Sequence, residues 1–125
     1  MKAAILAGGR GTRLYPYTRE TPKPLLTLSE RPILEILLHQ LYRDGFKKVT
    51  LCLGHRHSAF DRFFKDRKGF LPVNLEIETV VEPFPLGTAG ALKAVNHENE
   101  VLLVLNGDVL TDLDFGRFYH WHKVQ

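Results

Sequence analysis

Short apolar runs alternate with amphipathic stretches along this chain, and that alternation narrows the folds open to it. The first run, KAAILA at residues 2–7, is almost wholly apolar and stops at glycine. Such a run suits a strand buried on both faces. KVTLCLG (48–54) and VLLVLNGD (101–108) repeat the pattern. Between them a strand is expected over Val73–Val81. Its opening, NLEIE, alternates polar and apolar residues and so belongs nearer a sheet edge.

Helical spacing fills the intervals. From Pro32, PILEILLHQLYRDG sets Leu34, Leu37, Leu38 and Leu41 on one face. Proline suits the first turn of a helix and Gly45 the left-handed position beyond its end. SAFDRFFKDRKG places Phe60, Phe63 and Phe64 together as core, with Gly69 closing the helix. GTAGALKAVNH reads as a helix of small residues. DFGRFYHWHKVQ spaces Phe115, Phe118, Tyr119 and His122 helically, with Trp121 as packing and Asp112 or Asp114 as the cap. Strands alternating with helices predict an α/β fold, a Rossmann-like parallel sheet with flanking helices and right-handed crossovers. The expected strand order is 3-2-1-4.

At 125 residues, 44% hydrophobic and 25% charged, residues 1–125 read as one globular domain. The last helical pattern runs into Gln125 without a stop signal, so a fragment of a longer domain is expected. No apolar run approaches the roughly 20 residues that span a bilayer. The run Ala3–Ala7 is shorter than the apolar core of a secretory signal. A cytoplasmic setting follows as the simplest expectation. The one cysteine, Cys52, reads as a small buried residue on a strand. The histidine pairs are not expected to bind a metal: two apart on a helix, His120 and His122 do not share a face, and His55 and His57 read as part of a turn.

The net charge of +3 is too scattered for a nucleic-acid face. Only the connection after the first strand concentrates cations, with Arg10, Arg13, Arg19 and Lys23 against the single acid Glu20. In a parallel sheet of order 3-2-1-4 the functional crevice lies where the order reverses, between the first and fourth strands. The loops leaving those strands are GGRGTR and NGD. The first offers backbone amides and guanidinium groups and the second a carboxylate, a pairing suited to phosphates and a divalent cation.

Neither familiar phosphate cradle matches. The dinucleotide fingerprint fails at Leu14, and no Walker string occurs. The loop's chemistry is still legible. Gly8, Gly9 and Gly11 allow close backbone approach and an anion-binding nest of amides. Arg13 can grip phosphate bidentately, and Lys23 is a point charge on a segment stiffened by Pro22 and Pro24.

LAGGRGTRLYPYTRETPKPLL, with EPFPLGTAGAL and NGDVLTD in the same order, closely resembles the motifs of the sugar-1-phosphate nucleotidylyltransferases. The resemblance implies transfer of a nucleotidyl group from a nucleoside triphosphate to a sugar 1-phosphate, releasing pyrophosphate, with Mg2+. PLGTAGAL is most similar to the members that use GTP and mannose 1-phosphate, with dTTP or UTP and glucose 1-phosphate as the alternative. It further implies that Leu6, Ala7, Gly8, Gly9, Gly11, Thr12 and Arg13 wrap the triphosphate, with Arg13 on the departing pyrophosphate. Lys23 would contact the phosphates where bonds exchange. Glu82, Pro83, Gly87 and Thr88 would hold base and ribose, Gly107 would line the nucleotide site, and Asp108 would bind the metal. A non-catalytic nucleotide-sensing domain and a homo-oligomeric assembly both stay open. Neither nucleic acid nor membrane is expected as a partner.

Overall fold

A computed structural model describes residues 1–8, 21–54, 56–82, 95 and 101–124. Its centre is a four-stranded parallel sheet built from β1 (Lys2–Leu6), β4 (Lys48–Leu53), β5 (Glu76–Val81) and β6 (Leu102–Asn106). The order is β5-β4-β1-β6, the expected 3-2-1-4 arrangement. In β1, Leu6 stands opposite Cys52 on one side and Asn106 on the other. All four strands therefore exit at one edge, and their loops open beside each other.

Apolar content places the two central strands but not β6, whose run was read as buried on both faces: among the described residues β6 ends the sheet, with Leu103 buried and Val104 39% exposed. Ala3, Ala4 and Ile5 of β1 are fully buried, as are Val49 and Leu51 of β4, because these central strands are covered on both faces. β5 lies at the edge, as its alternation implies, but it begins at Glu76; Val73 projects almost fully into solvent from the preceding turn. Against the sheet packs α1 (Ile33–Arg43), whose Leu34, Leu37, Leu38 and Leu41 are buried. Pro32 precedes its first turn, and Gly45 takes φ +99° just past its end. α2 (His57–Asp66) buries Phe60 and Phe63 and leaves Phe64 partly covered. It stops at Asp66, before a 3-10 turn over Lys68–Phe70, so Gly69 does not form its cap.

α3 (Phe115–Lys123) turns Phe115 and Tyr119 inward, where Tyr119 meets Phe46 edge to face. Trp121, read as packing, is 59% exposed, because Phe115 and Tyr119 occupy the inward stripe. Asp114 caps α3 by accepting the Arg117 amide at 3.0 Å. The helix is also held from outside: Asp44, at the end of α1, accepts the Phe115 amide at 2.9 Å.

Two features escaped the sequence pattern. A hairpin of β2 (Thr27–Leu28) and β3 (Arg31–Pro32) fills the approach to α1. Beside it, the buried Glu35 carboxylate receives Arg67 Nε at 2.8 Å, Arg67 Nη2 at 3.1 Å and Arg31 Nε at 3.1 Å. Burial alone would raise the Glu35 carboxyl, but the hydrogen bonds from Arg67 and then Arg31 outweigh it and hold it below its ordinary 4.5. The small-residue helix expected at residues 87–97 lies outside the described residues except for Val95, which is buried.

Candidate functional site

The exits of β1 and β6 meet at the carboxyl edge of the sheet. After β1, the Ala7 amide donates to Cys52 O at 2.9 Å, which carries the chain one residue further in register. After β6, the Gly107 amide donates to Leu6 O at 2.9 Å, and the Val109 amide to Asn106 O at 3.2 Å. Those bonds fold NGDV into a tight turn with Asp108 at its outer corner. The loop beyond is tied to α1, where Gln40 Nε2 donates to Thr111 O at 2.6 Å.

The connection that leaves β1 returns to the same place. Pro22, at φ −56°, leads into a 3-10 turn over Lys23–Leu25, closed by bonds from Leu25 N and Leu26 N to Pro22 O and Lys23 O. Pro24 is buried beneath the turn, so Lys23 stands on a rigid base. Its Nζ lies 2.5 Å from Asp108 Oδ2, with the two side chains 38% and 31% exposed. A cation and a carboxylate from sequence positions far apart thus meet where the strand order reverses.

Several residues singled out from the sequence fall into this arrangement. Leu6, Ala7 and Gly8 form the β1 exit, Gly107 and Asp108 the β6 exit, and Lys23 bridges them. Glu82 follows β5 on the same edge but two strands from β1, its amide donating to Leu53 O at 2.9 Å. Gly9, Gly11, Thr12, Arg13, Pro83, Gly87 and Thr88 lie outside the described residues. A cleft of about 500 Å³ opens nearby between Thr21, Pro22 and Leu25 and the Ser58, Arg62 and Phe63 side of α2; neither Lys23 nor Asp108 lines it. One contributor was not singled out. Gly54, at the exit of β4, abuts Gly8 backbone to backbone. Its signal was the glycine ending KVTLCLG, which reads equally well as an ordinary turn.

The chain's relatives bear on what such an edge does. A family model described as nucleotidyl transferase matches residues 2–125. The chain belongs to the nucleotidyl transferase family. It is 36% identical over 118 residues to the D-glycero-alpha-D-manno-heptose 1-phosphate guanylyltransferase of Campylobacter jejuni, with 94% of this chain and 52% of that protein aligned. With the mannose-1-phosphate guanylyltransferase of Mycobacterium tuberculosis it shares 36% identity over 97% of this chain and 33% of the relative. The structure of HddC from Yersinia pseudotuberculosis, complexed with GMP-PN, superposes at TM-score 0.78 and 32% identity, covering 96% of this chain and 53% of that one. Relatives named for uridylyl and thymidylyl transfer match as well. The chain spans a third to about half of the length of these nucleotidyl transferase relatives.

Proposed function

We propose that the carboxyl edge binds a nucleoside triphosphate, and that the chain serves nucleotidyl transfer to a sugar 1-phosphate with release of pyrophosphate. GTP is the favoured nucleotide and a manno-configured sugar phosphate, mannose 1-phosphate first, the favoured acceptor. The supporting observation is the meeting of Lys23 with Asp108 at the β1/β6 crevice of a nucleotidyl transferase chain. The choice of base and sugar leans on the guanylyltransferase names of two relatives and on GMP-PN in a third.

The reaction needs little proton chemistry. A phosphate monoester has its second pKa near about 6, so the attacking oxygen is mostly ionised at neutral pH. The obstacle is repulsion between an anion and a polyanion, followed by charge building on the leaving pyrophosphate. Fixed cations and alignment answer that obstacle. Lys23, held by Pro22 and Pro24, would meet the phosphates at the bond-exchange point, and Arg13 the departing pyrophosphate.

Among the described residues no three His, Cys, Asp or Glu gather as a metal cage. Mg2+ does not require one, since it is bound through one or two carboxylates together with substrate phosphates and waters. Asp108, part-exposed at the corner of its turn, fits as such a carboxylate. When bound there, the ion would neutralise phosphate charge. Until then Lys23 serves as the counter-ion of Asp108.

The test is a thermal-shift panel of GTP, dTTP, UTP, CTP and ATP with Mg2+, followed by pyrophosphate release with mannose 1-phosphate and glucose 1-phosphate. GTP should stabilise most, and mannose 1-phosphate should release pyrophosphate. No shift with any nucleotide would end the proposal. A second reading is nucleotide sensing without transfer; binding without pyrophosphate release would select it.

A further inference from the structure

We propose that Gly54 and Gly107, neither of them in the long connection after β1, are the two seats that hold its described ends, Gly8 and Lys23, in place for a ligand. The inference rests on the functional reading above, and its geometry stands apart from it. The connection leaves at Gly8 and returns at Pro22–Leu25. Each end rests on a glycine of a neighbouring strand exit.

At the departing end, a Cβ on Gly54 would stand 2.8 Å from Gly8 O and 3.2 Å from Gly8 Cα. Both are backbone atoms, so no side chain can swing aside. The Ala7 amide is bonded to Cys52 O one step earlier, which leaves β1 little freedom to retreat. Gly54 therefore has to lack a side chain if Gly8 is to keep its height at the sheet edge.

At the returning end, a Cβ on Gly107 would stand 2.8 Å from Pro24 Cγ and 3.2 Å from Pro24 Cβ, with Ala7 Cβ at 3.4 Å. The proline ring can pucker but cannot rotate away. A side chain at Gly107 would lift Pro24 and carry the adjoining Lys23 away from Asp108. The glycines thus act through Gly8 and Lys23 and are positioning residues. Misplacement of a binding group by an ångström can cost on the order of a hundredfold.

Gly116 supplies the control. A Cβ there would stand 2.5 Å from Asp44 O, a backbone clash closer than either of the other two. That contact joins the start of α3 to the end of α1, which leads to the start of β4, so it lies at the opposite edge of the sheet. Gly54→Ala, Gly107→Ala and Gly116→Ala are compared with the native chain by calorimetric titration with GTP and Mg2+, well below each melting temperature. Amide spectra of Ala7 and Gly8 are recorded alongside. All three variants should lose Tm. Gly54→Ala and Gly107→Ala should also lose GTP affinity by on the order of tenfold or more, and Gly54→Ala should shift the Gly8 amide, while Gly116→Ala keeps native affinity. Native affinity in both site-edge variants, or equal loss in all three, overturns the inference and leaves the nucleotide reading standing. A native chain that binds none of GTP, UTP or dTTP overturns that reading and this inference with it.

Discussion

Lys23 Nζ sits 2.5 Å from Asp108 Oδ2, joining the end of the first long connection to the turn that leaves β6. Both side chains are about one-third exposed, so solvent screens the pair and its share of fold stability is at most about 1 kcal/mol. A contact worth so little to folding has to be judged by what it does for a ligand. Loss of one preorganised charge at developing phosphate charge costs about 2.7 to 4 kcal/mol of barrier. Lys23→Ala should therefore cut turnover on that scale while Tm barely moves, measured by pyrophosphate release and calorimetry on the same preparation. Near-native kcat, or a large drop in Tm, would remove Lys23 from its role.

The Glu35 cluster makes a prediction of the opposite kind, about stability and not activity. Its carboxyl is held below 4.5 by Arg67 and Arg31 against the pull of burial. A depressed carboxyl stabilises the fold above the unfolded-state pKa, and that contribution fades as pH falls through the folded-state value. Glu35→Gln keeps the shape and removes the charge. The native chain should melt higher than Glu35→Gln near neutral pH, and the gap should close as pH drops below 4.5. Thermal melts over that range measure it; a gap independent of pH would mean the charge contributes nothing.

Cys52 shows what burial does to a nucleophile. The thiol sits on β4 with Ala4 and Val95, and burial first, then the Glu82 charge, pushes it above its ordinary 9.0. Thiolate is the reactive form, so alkylation by iodoacetamide near neutral pH should proceed only as fast as the fold opens. Because burial leads, Glu82→Gln should leave the rate almost unchanged. Mass spectrometry of timed samples gives the answer, and rapid labelling of the folded chain would contradict the placement of Cys52.

What the sequence disclosed and what it hid divide along physical lines. The central place of β1 and β4 was legible because Ala3–Ile5 is continuously apolar and Val49–Leu53 nearly so, Thr50 excepted, which suits strands covered on both faces, although the equally apolar β6 stands at the edge. The expected order placed the β1 and β6 exits side by side, but it did not show that Lys23, well beyond β1, closes back onto Asp108; that comes from the structure alone. The Glu35–Arg67 pair was not legible. The two residues lie 32 positions apart, and a charge on a helix ordinarily marks the solvent side. Gly54 was hidden for another reason: its constraint comes from Gly8 at the exit of a different strand, which no local pattern contains. Trp121 misled because aromatic size suggests burial, whereas the inward stripe of α3 was already filled by Phe115 and Tyr119.

The β2–β3 hairpin was missed because its turn carries the wrong residues, and that gives the last prediction. Leu28 pairs with Arg31, leaving Ser29 and Glu30 as a two-residue turn at φ 51° and 68°. A turn with both central residues left-handed matches strand twist, and Asn-Gly is its favoured sequence. An ordinary L-residue there costs roughly 1 to 2 kcal/mol, and glycine gives back part of the gain through the freedom it adds to the unfolded chain. Ser29→Asn with Glu30→Gly should therefore stabilise by about 0.5 to 1 kcal/mol. Ser29→Val should destabilise, because a branched side chain tolerates positive φ worst. Arg31 leaves this turn to reach Glu35, so a distorted hairpin would also weaken that pair. Melts of Ser29→Val should then show a shallower acid dependence than the native chain, whereas the Asn-Gly variant keeps the native slope. A rise in Tm with Ser29→Val would mean that the left-handed turn is not the conformation in solution.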